Sequence, residues 1–338
     1  MEIYTIRDIA RKAGVAVSTV SRVLNGRPDV SEETRRKVLA LVEECGYVQN
    51  GNARSLKRTK ELFAAIIVRG RRNIFLSDIA EQMLACAQGL KIPFLIKYID
   101  EEDDEFDAMR RLYAEKRAAG FILLGSRLDE RAEAVRMMGV PCVFATVDVS
   151  RNGLENASSV CIDDQAATRA MMDRLLECGH RRVAVFGGNR EGDDIFARRY
   201  RGAMESLAEH GIAYDPDEYV RLRFSLEDAY HEALAFFKEH RDVTAVMTMS
   251  DTMAAGVIRA LFDLGLRVPQ DVSVTGFDGT QMASYFIPSI ATVRQPTEMI
   301  ARESVSLLCD MLEGGEPRYV TVKYALVEGE SIAHVRGK

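Results

Sequence analysis

Near the start of the chain, apolar residues recur at helical spacing and glycine breaks the pattern. Ile6, Ile9, Ala10 and Ala13 stand at i, i+3, i+4 and i+7, the stripe of an amphipathic helix, and Gly14 ends it as a tight turn requires. A second stripe turns Val20, Val23 and Leu24 inward and Ser18, Ser21, Arg22 and Asn25 outward. After Gly26-Arg27-Pro28, Ser31 can cap a third helix with Glu32 and Glu33 at the positive end of its dipole and Val38, Leu41, Val42 and Cys45 inside. Helix, short glycine turn, helix is the layout of a helix-turn-helix, whose second helix can enter a major groove. Spacing alone fits a plain three-helix bundle equally well. The outward hydroxyls, amide and arginine suit phosphates and base edges, and favour the DNA reading.

From Phe63 the pattern changes to short apolar runs separated by helical stretches. Residues 63–68, 93–98, 121–125 and 142–147 read as buried strands, and 182–187, 245–249 and 272–277 as a second series. Strands alternating with helices of this length predict βαβ units and parallel sheets, with ligands at the carboxyl ends of the strands. The polar, basic stretch between Gly46 and Lys60, with Leu56 its one large apolar residue after Val48, reads as a linker.

A length of 338 residues predicts two or three domains, and 47% hydrophobic with 28% charged residues is ordinary for a globular protein. No run of membrane-spanning length and no signal peptide after Met1 is apparent, so the expected compartment is the cytoplasm, with no membrane partner. Six scattered cysteines without a C-x-x-C pair predict packing residues, and neither metal nor disulfide. The net charge of −6 conceals an asymmetry: the first sixty residues carry 12 Lys and Arg against 7 Asp and Glu. A basic end on an acidic body suggests a nucleic-acid module joined to something else. Phosphate-cradling, metalloprotease and nucleophile-elbow motifs are all missing, and Asp163-Asp164, adjacent in sequence, reads as a cap and a ligand contact before a catalytic pair. No enzyme and no cofactor are expected.

The stretch T-I-R-D-I-A-R-K-A-G-V-A-V-S-T-V-S-R-V-L-N-G (Thr5 to Gly26), followed by V-S-E-E-T-R-R-K-V and Gly46-Tyr47, resembles the opening of the lactose-repressor family of bacterial regulators. The resemblance implies that Val17, Ser18 and Arg22 read bases and that Thr5, Thr19, Ser21, Asn25 and Thr34 touch phosphates. It also implies a short hinge helix that forms on DNA, with Asn50, Ala53, Arg54, Ser55 and a Leu56 wedge in the minor groove. Ala16 replaces the serine usual before the recognition helix, and Gln49 and Gly51 depart from the usual hinge.

Further on, V-C-I-D-D, E-C-G-H-R-R-V-A-V-F-G-G, G-L-R-V-P-Q-D-V-S-V-T-G-F-D and T-V-R-Q-P are similar to that family's effector domain, itself like periplasmic sugar-binding proteins. The implied architecture is α/β: an all-α helix-turn-helix headpiece (1–48), a hinge (49–61), and a two-lobed periplasmic-binding-protein-like domain with parallel sheets (62–338). Lobe 1 is expected at 62–160 and 291–318, lobe 2 at 161–290 and 319–338. The resemblance also implies effector contacts at Asn73, Phe75, Ser126, Asp148, Arg199, Ser250, Asp251 and Asp278, and carboxylates and an arginine at strand ends suit sugar hydroxyls. The implied partners are double-stranded DNA carrying a near-palindromic operator, a sugar-like effector, and a second copy of the chain. Arg69, Arg71 and Arg72 in the loop after the first strand suggest an anionic effector, such as a sugar phosphate or sugar acid. Three cleft acids oppose it, and a neutral sugar is favoured.

Overall fold

The computed structural model describes residues 6–24, 30–44, 62–116, 118–127 and 132–335. Backbone contacts divide the chain into Met1–Glu61 and Leu62–Lys338.

In the first unit α1 (Ile6–Ala13), α2 (Val17–Leu24) and α3 (Glu32–Glu44) enclose one small core. Ile9, Ala10, Ala13, Val20, Val23 and Val38 are buried there, as their spacing requires. Gly14 takes a φ of +67° in the turn between the first two helices, a conformation open to glycine at little cost. Ser31 caps α3: its hydroxyl accepts from the Thr34 N–H at 3.3 Å and donates to the Thr34 hydroxyl at 2.9 Å. Leu24 and Cys45, expected on the inner faces, lie where no side chain is described.

The second unit is built on two six-stranded sheets. The first joins β1 (Phe63–Arg69), β2 (Phe94–Ile99), β3 (Ala118–Leu124), β4 (Cys142–Ala145), β5 (Ala157–Cys161) and β11 (Tyr319–Thr321) in the order β11-β5-β4-β3-β1-β2, all parallel. In the second, β6 (Val183–Gly187), β7 (Tyr219–Arg221), β8 (Ala245–Thr248), β9 (Ser273–Asp278), β10 (Ala291–Arg294) and β12 (Ala325–Val327) run β12-β10-β9-β8-β6-β7, with only β12 antiparallel. The helices between them are α4 (Ile74–Cys86), α5 (Glu105–Lys116), α6 (Ala132–Met138), α7 (Asp164–Glu177), α8 (Ile195–Glu209), α9 (Leu226–Glu239), α10 (Asp251–Asp263), α11 (Gln281–Tyr285) and α12 (Thr297–Leu312). β1 shows why its apolar run is unbroken. Ala64, Ile66 and Val68 enter one core while Phe63, Ala65 and Ile67 enter another, so both faces are covered.

The chain crosses between sheets three times, and two crossings fall later than expected. The first lies between Cys161 and Asp164. Residues 291–294, expected in the first lobe, pair with β9 in the second sheet (Ala291 with Thr275), and the crossing follows at 295–296. Residues 319–321, expected in the second lobe, pair with β5 in the first sheet (Tyr319 with Ser159), and the crossing follows at 322–324. The physical reason is that a short strand reads alike beside either sheet; the partner strand decides.

Cys142, Cys161 and Cys178 are buried, and burial alone pushes the Cys142 thiol up to about 12. Cys86 departs from the packing expectation: it sits exposed at the end of α4. Among the described residues no helix is long and apolar enough to cross a membrane.

Candidate functional site

The parallel strands of both sheets end toward a common cleft, as the topology of open α/β sheets leads one to expect. Its main chamber has a volume of about 740 Å3. The first lobe contributes Arg69 at the end of β1, Ser126 and Arg127 after β3, and Thr146 after β4. The second contributes Gly188 after β6, Phe196 and Arg199 on α8, and Asp278 at the end of β9. Thr146 and Asp278 both hold positive φ, +75° and +102°, where side chains other than glycine are rare. Such strain gathers at binding sites, because it aims strand-end groups into the cleft.

Arg199 organises the floor. Its Nε donates to Asp164 at 2.7 Å and an Nη to the Met249 carbonyl at 2.6 Å. A second Nη lies 3.7 Å from Asp278, and the guanidinium covers the Phe277 ring at 3.6 Å. Guanidinium carries five N–H groups in a fixed fork, so part of that set remains for a ligand. Asp278 accepts from the Gln295 amide at 2.9 Å. Burial raises the Asp278 carboxyl well above its usual range, outweighing the pull of Arg199, and raises Asp164 for the same reason. Three phenylalanines, Phe75, Phe196 and Phe224, add apolar faces to the polar floor. Hydrogen-bonding groups beside aromatic faces are what a sugar-like ligand requires.

The expected effector residues divide into two groups. Asn73, Phe75, Ser126, Arg199 and Asp278 all line the chamber. Asn73 also caps α4, its amide oxygen accepting from the Leu76 N–H at 3.1 Å, and the Ser126 hydroxyl donates to Glu105 at 2.5 Å. Ser250 and Asp251 do not line it. Ser250 is the buried cap of α10, accepting from the Met253 N–H at 3.1 Å. Asp251 is fully buried and accepts from the Thr280 N–H at 2.6 Å and from the Thr280 and Thr292 hydroxyls at 2.9 and 2.6 Å. Its oxygens are spent tying α10 to the end of β9, and burial carries its carboxyl up to about 6. Asp148 lies in an adjoining chamber of about 750 Å3, and Thr146 takes the strand-end place in the main one.

The arginine loop is corrected too. Arg71 pairs with Asp100 on the surface at 3.0 Å, and neither Arg71 nor Arg72 lines either chamber. Arg69 does, but its guanidinium turns back to Glu105 and the Glu101 carbonyl. The arginines missed by sequence are Arg127, Arg221 and Arg223; with Arg69 and Arg199 they stand against six carboxylates in the chamber lining. That near balance leaves no strong field for an anion. Gln295 could have been found, since it stands inside the T-V-R-Q-P stretch just after β10. Phe196 and Phe224 come from loops and helix starts that carry no such signal.

On the headpiece, Val17 and Arg22 are exposed on α2 and Thr19 is half-buried, a face free of core duties. Thr34 is half-buried and engaged with Ser31. Ser18 and Ser21 lie on α2, but their side chains are outside what is described. Thr5, Asn25, Asn50, Ala53, Arg54, Ser55 and Leu56 lie outside the described residues altogether.

The family described as bacterial regulatory proteins, lacI family, matches residues 5–50, and the periplasmic binding protein-like domain matches residues 172–332. The chain is 33% identical over 336 residues to the HTH-type transcriptional regulator MalR of Clostridium butyricum, covering 98% of this chain and 99% of that one. A structure of the transcriptional regulator CelR in complex with cellobiose gives a TM-score of 0.72 at 29% identity, covering 97% of this chain and 99% of the other. The lac repressor dimer bound to operator and the anti-inducer ONPF gives 0.71 at 26% identity, covering 98% and 100%.

Proposed function

The chain belongs to the lacI family of bacterial regulatory proteins, DNA-binding transcriptional regulators that are not enzymes, and from that premise we propose that it is a carbohydrate-responsive repressor. It acts as a homodimer on a near-palindromic operator, since a two-fold protein reads a two-fold site. Val17, Ser18 and Arg22 read bases, the neighbouring hydroxyls and Asn25 hold phosphates, and Leu56 wedges the minor groove. A sugar-like effector binds between the lobes and shifts operator affinity.

One observation carries the effector reading: Arg199, Asp278 and Gln295 meet in a cleft of balanced charge that three phenylalanines also line. Carboxylate and guanidinium bond vicinal hydroxyls in pairs, and a ring stacks on phenylalanine. That chemistry, and the balance of five arginines with six acids, favours a neutral sugar over a sugar phosphate. A similar protein is consistent with it: CelR is solved with cellobiose.

The test is a thermal-unfolding screen of neutral sugars, sugar acids, sugar phosphates and nucleosides, followed by operator binding with each hit. Binding of the effector to the folded state raises the unfolding temperature as its concentration passes its Kd. The expected hit is a neutral sugar that changes operator affinity about 5- to 150-fold, the usual range of coupling between sites. A nucleoside or phosphorylated hit that outcompetes every neutral sugar overturns the effector class.

A further inference from the structure

We propose that Arg198 and Asp148 form a latch between the lobes that ties one end of the cleft. The inference rests on the reading of the cleft as the effector site and concerns how readily that site closes.

Asp148 belongs to the first lobe, in the loop between β4 and β5; Arg198 belongs to the second, in the first turn of α8. The guanidinium donates to the Asp148 carboxylate at 3.1 Å and to its main-chain carbonyl at 3.4 Å. An exposed ion pair contributes little when two long side chains must be ordered to form it. Both partners here are ordered beforehand by their own lobe. Arg198 donates to the Asp193 carbonyl at 3.2 Å and to the Asp193 carboxylate at 2.8 Å, while Asp148 accepts from the Ser150 N–H at 2.9 Å. The side chains are only 20% and 27% exposed, so solvent screens the pair incompletely. Burial pushes the Asp148 carboxyl up, but the Ser150 and Arg198 hydrogen bonds outweigh it and hold it below the usual carboxylate range. The latch is therefore charged at neutral pH.

Its position matters as much as its strength. Arg198, Asp148 and Asp193 wall both the adjoining chamber and a third recess of about 470 Å3, so the pair stands as a partition between them. Parting the lobes there has to break it. In the main chamber the opposite holds: Glu101 of the first lobe and Arg223 of the second both line the space with no ion pair between them. Arg223 nevertheless acts on Glu101 electrostatically. The cleft is tied at one end and poised at the other. Where the latch holds the lobes together, the apparent affinity of a ligand that needs both lobes rises with the closed fraction.

The experiment reads lobe separation in the full chain without ligand. Nitroxide labels on unnatural keto-bearing residues at positions 102 and 191, both exposed and both facing the adjoining chamber, report the distance by pulsed electron resonance. Asp148→Asn and Arg198→Gln are each expected to lengthen and broaden the distribution. Arg201→Gln, which removes donors to Asp193 and to the Gly192 carbonyl, both inside the second lobe, is expected to leave it unchanged. For any sugar that stabilises the parent chain, Asp148→Asn should weaken binding about two- to fivefold. Unchanged distances in both latch variants, with circular dichroism showing them folded, would overturn the latch. A sugar screen without a hit on the parent chain would overturn the effector reading instead, and the label distances decide the latch independently.

Discussion

Removing Arg199 should unfold the effector domain more readily, and at neutral pH more than at acid pH. The residue is 3% exposed and its side chain touches two buried carboxylates, Asp164 at 2.7 Å and Asp278 at 3.7 Å. Arg199→Ala leaves both without their cation and leaves the Met249 carbonyl without its donor. Breaking a buried ion pair by deleting one partner costs about 3–5 kcal/mol, because a buried charge is left uncompensated. At roughly 2–3 °C per kcal/mol for a domain of this size, the unfolding temperature should fall by about 6–15 °C. The sign with pH follows from the carboxyls. Asp164 and Asp278 already lie above their ordinary value, since burial outweighs Arg199, and removing the cation lifts them further. A carboxyl raised in the folded state holds its proton there more tightly than in the unfolded chain. Its stabilising share is present below the unfolded value and is lost as pH rises through the folded one. The variant's deficit should therefore be larger at pH 8 than at pH 5. Paired calorimetric scans of parent and variant at both pH values measure it. A deficit under about 1 kcal/mol, or one equal at the two pH values, would refute the account of Arg199 as the partner of two buried acids.

Asp278→Asn keeps the shape and an oxygen for Gln295, so the fold and operator binding should survive while affinity for the screened sugar falls at least about tenfold; titration calorimetry with operator binding beside it checks both. Loss of operator binding with an intact sugar response would contradict the site map. Arg22→Ala should cost about 1–3 kcal/mol on a selected operator and little on a scrambled duplex, read by fluorescence anisotropy at fixed salt. Equal losses on both duplexes would make Arg22 a phosphate contact. A Cβ at Gly202 would stand 2.1 Å from the Gln165 carbonyl, where α8 packs on α7, so Gly202→Ala should force the helices apart and destabilise by more than about 2 kcal/mol in denaturant titration. A change of a few tenths would show that the helices yield freely.

Much of this protein is legible from the order of its residues. Periodicity alone separates three helices from a βαβ chain, and Ile9, Val20 and Val38 are inside because they must share one face of short amphipathic helices. The unbroken run from Phe63 to Val68 announces a strand covered on both sides; Arg199 and Asp278 stand out by their place in motifs that resemble the lacI family's. Local pattern holds information of this kind because side-chain direction repeats with the backbone's own period.

What the pattern leaves open is pairing over distance. Whether 291–294 joins the first or the second sheet, and whether 319–321 does, depends on strands more than ten residues away, and the apolar pattern is the same for either choice. Asp251 and Asp278 look alike as acids at strand ends, yet one is spent on Thr280 and Thr292 and the other faces the cleft, since donors from separate elements converge on the first. Arg71 and Arg223 are likewise both loop arginines. One lies on the surface beside Asp100 and the other borders the chamber, because only the docking of the two lobes decides which loops face each other. The latch between Asp148 and Arg198 spans fifty residues and two lobes, and no local signal marks it. Sequence sets what each segment can form; burial and the meeting of distant groups set which polar side chains are spent on the fold and which remain for a ligand.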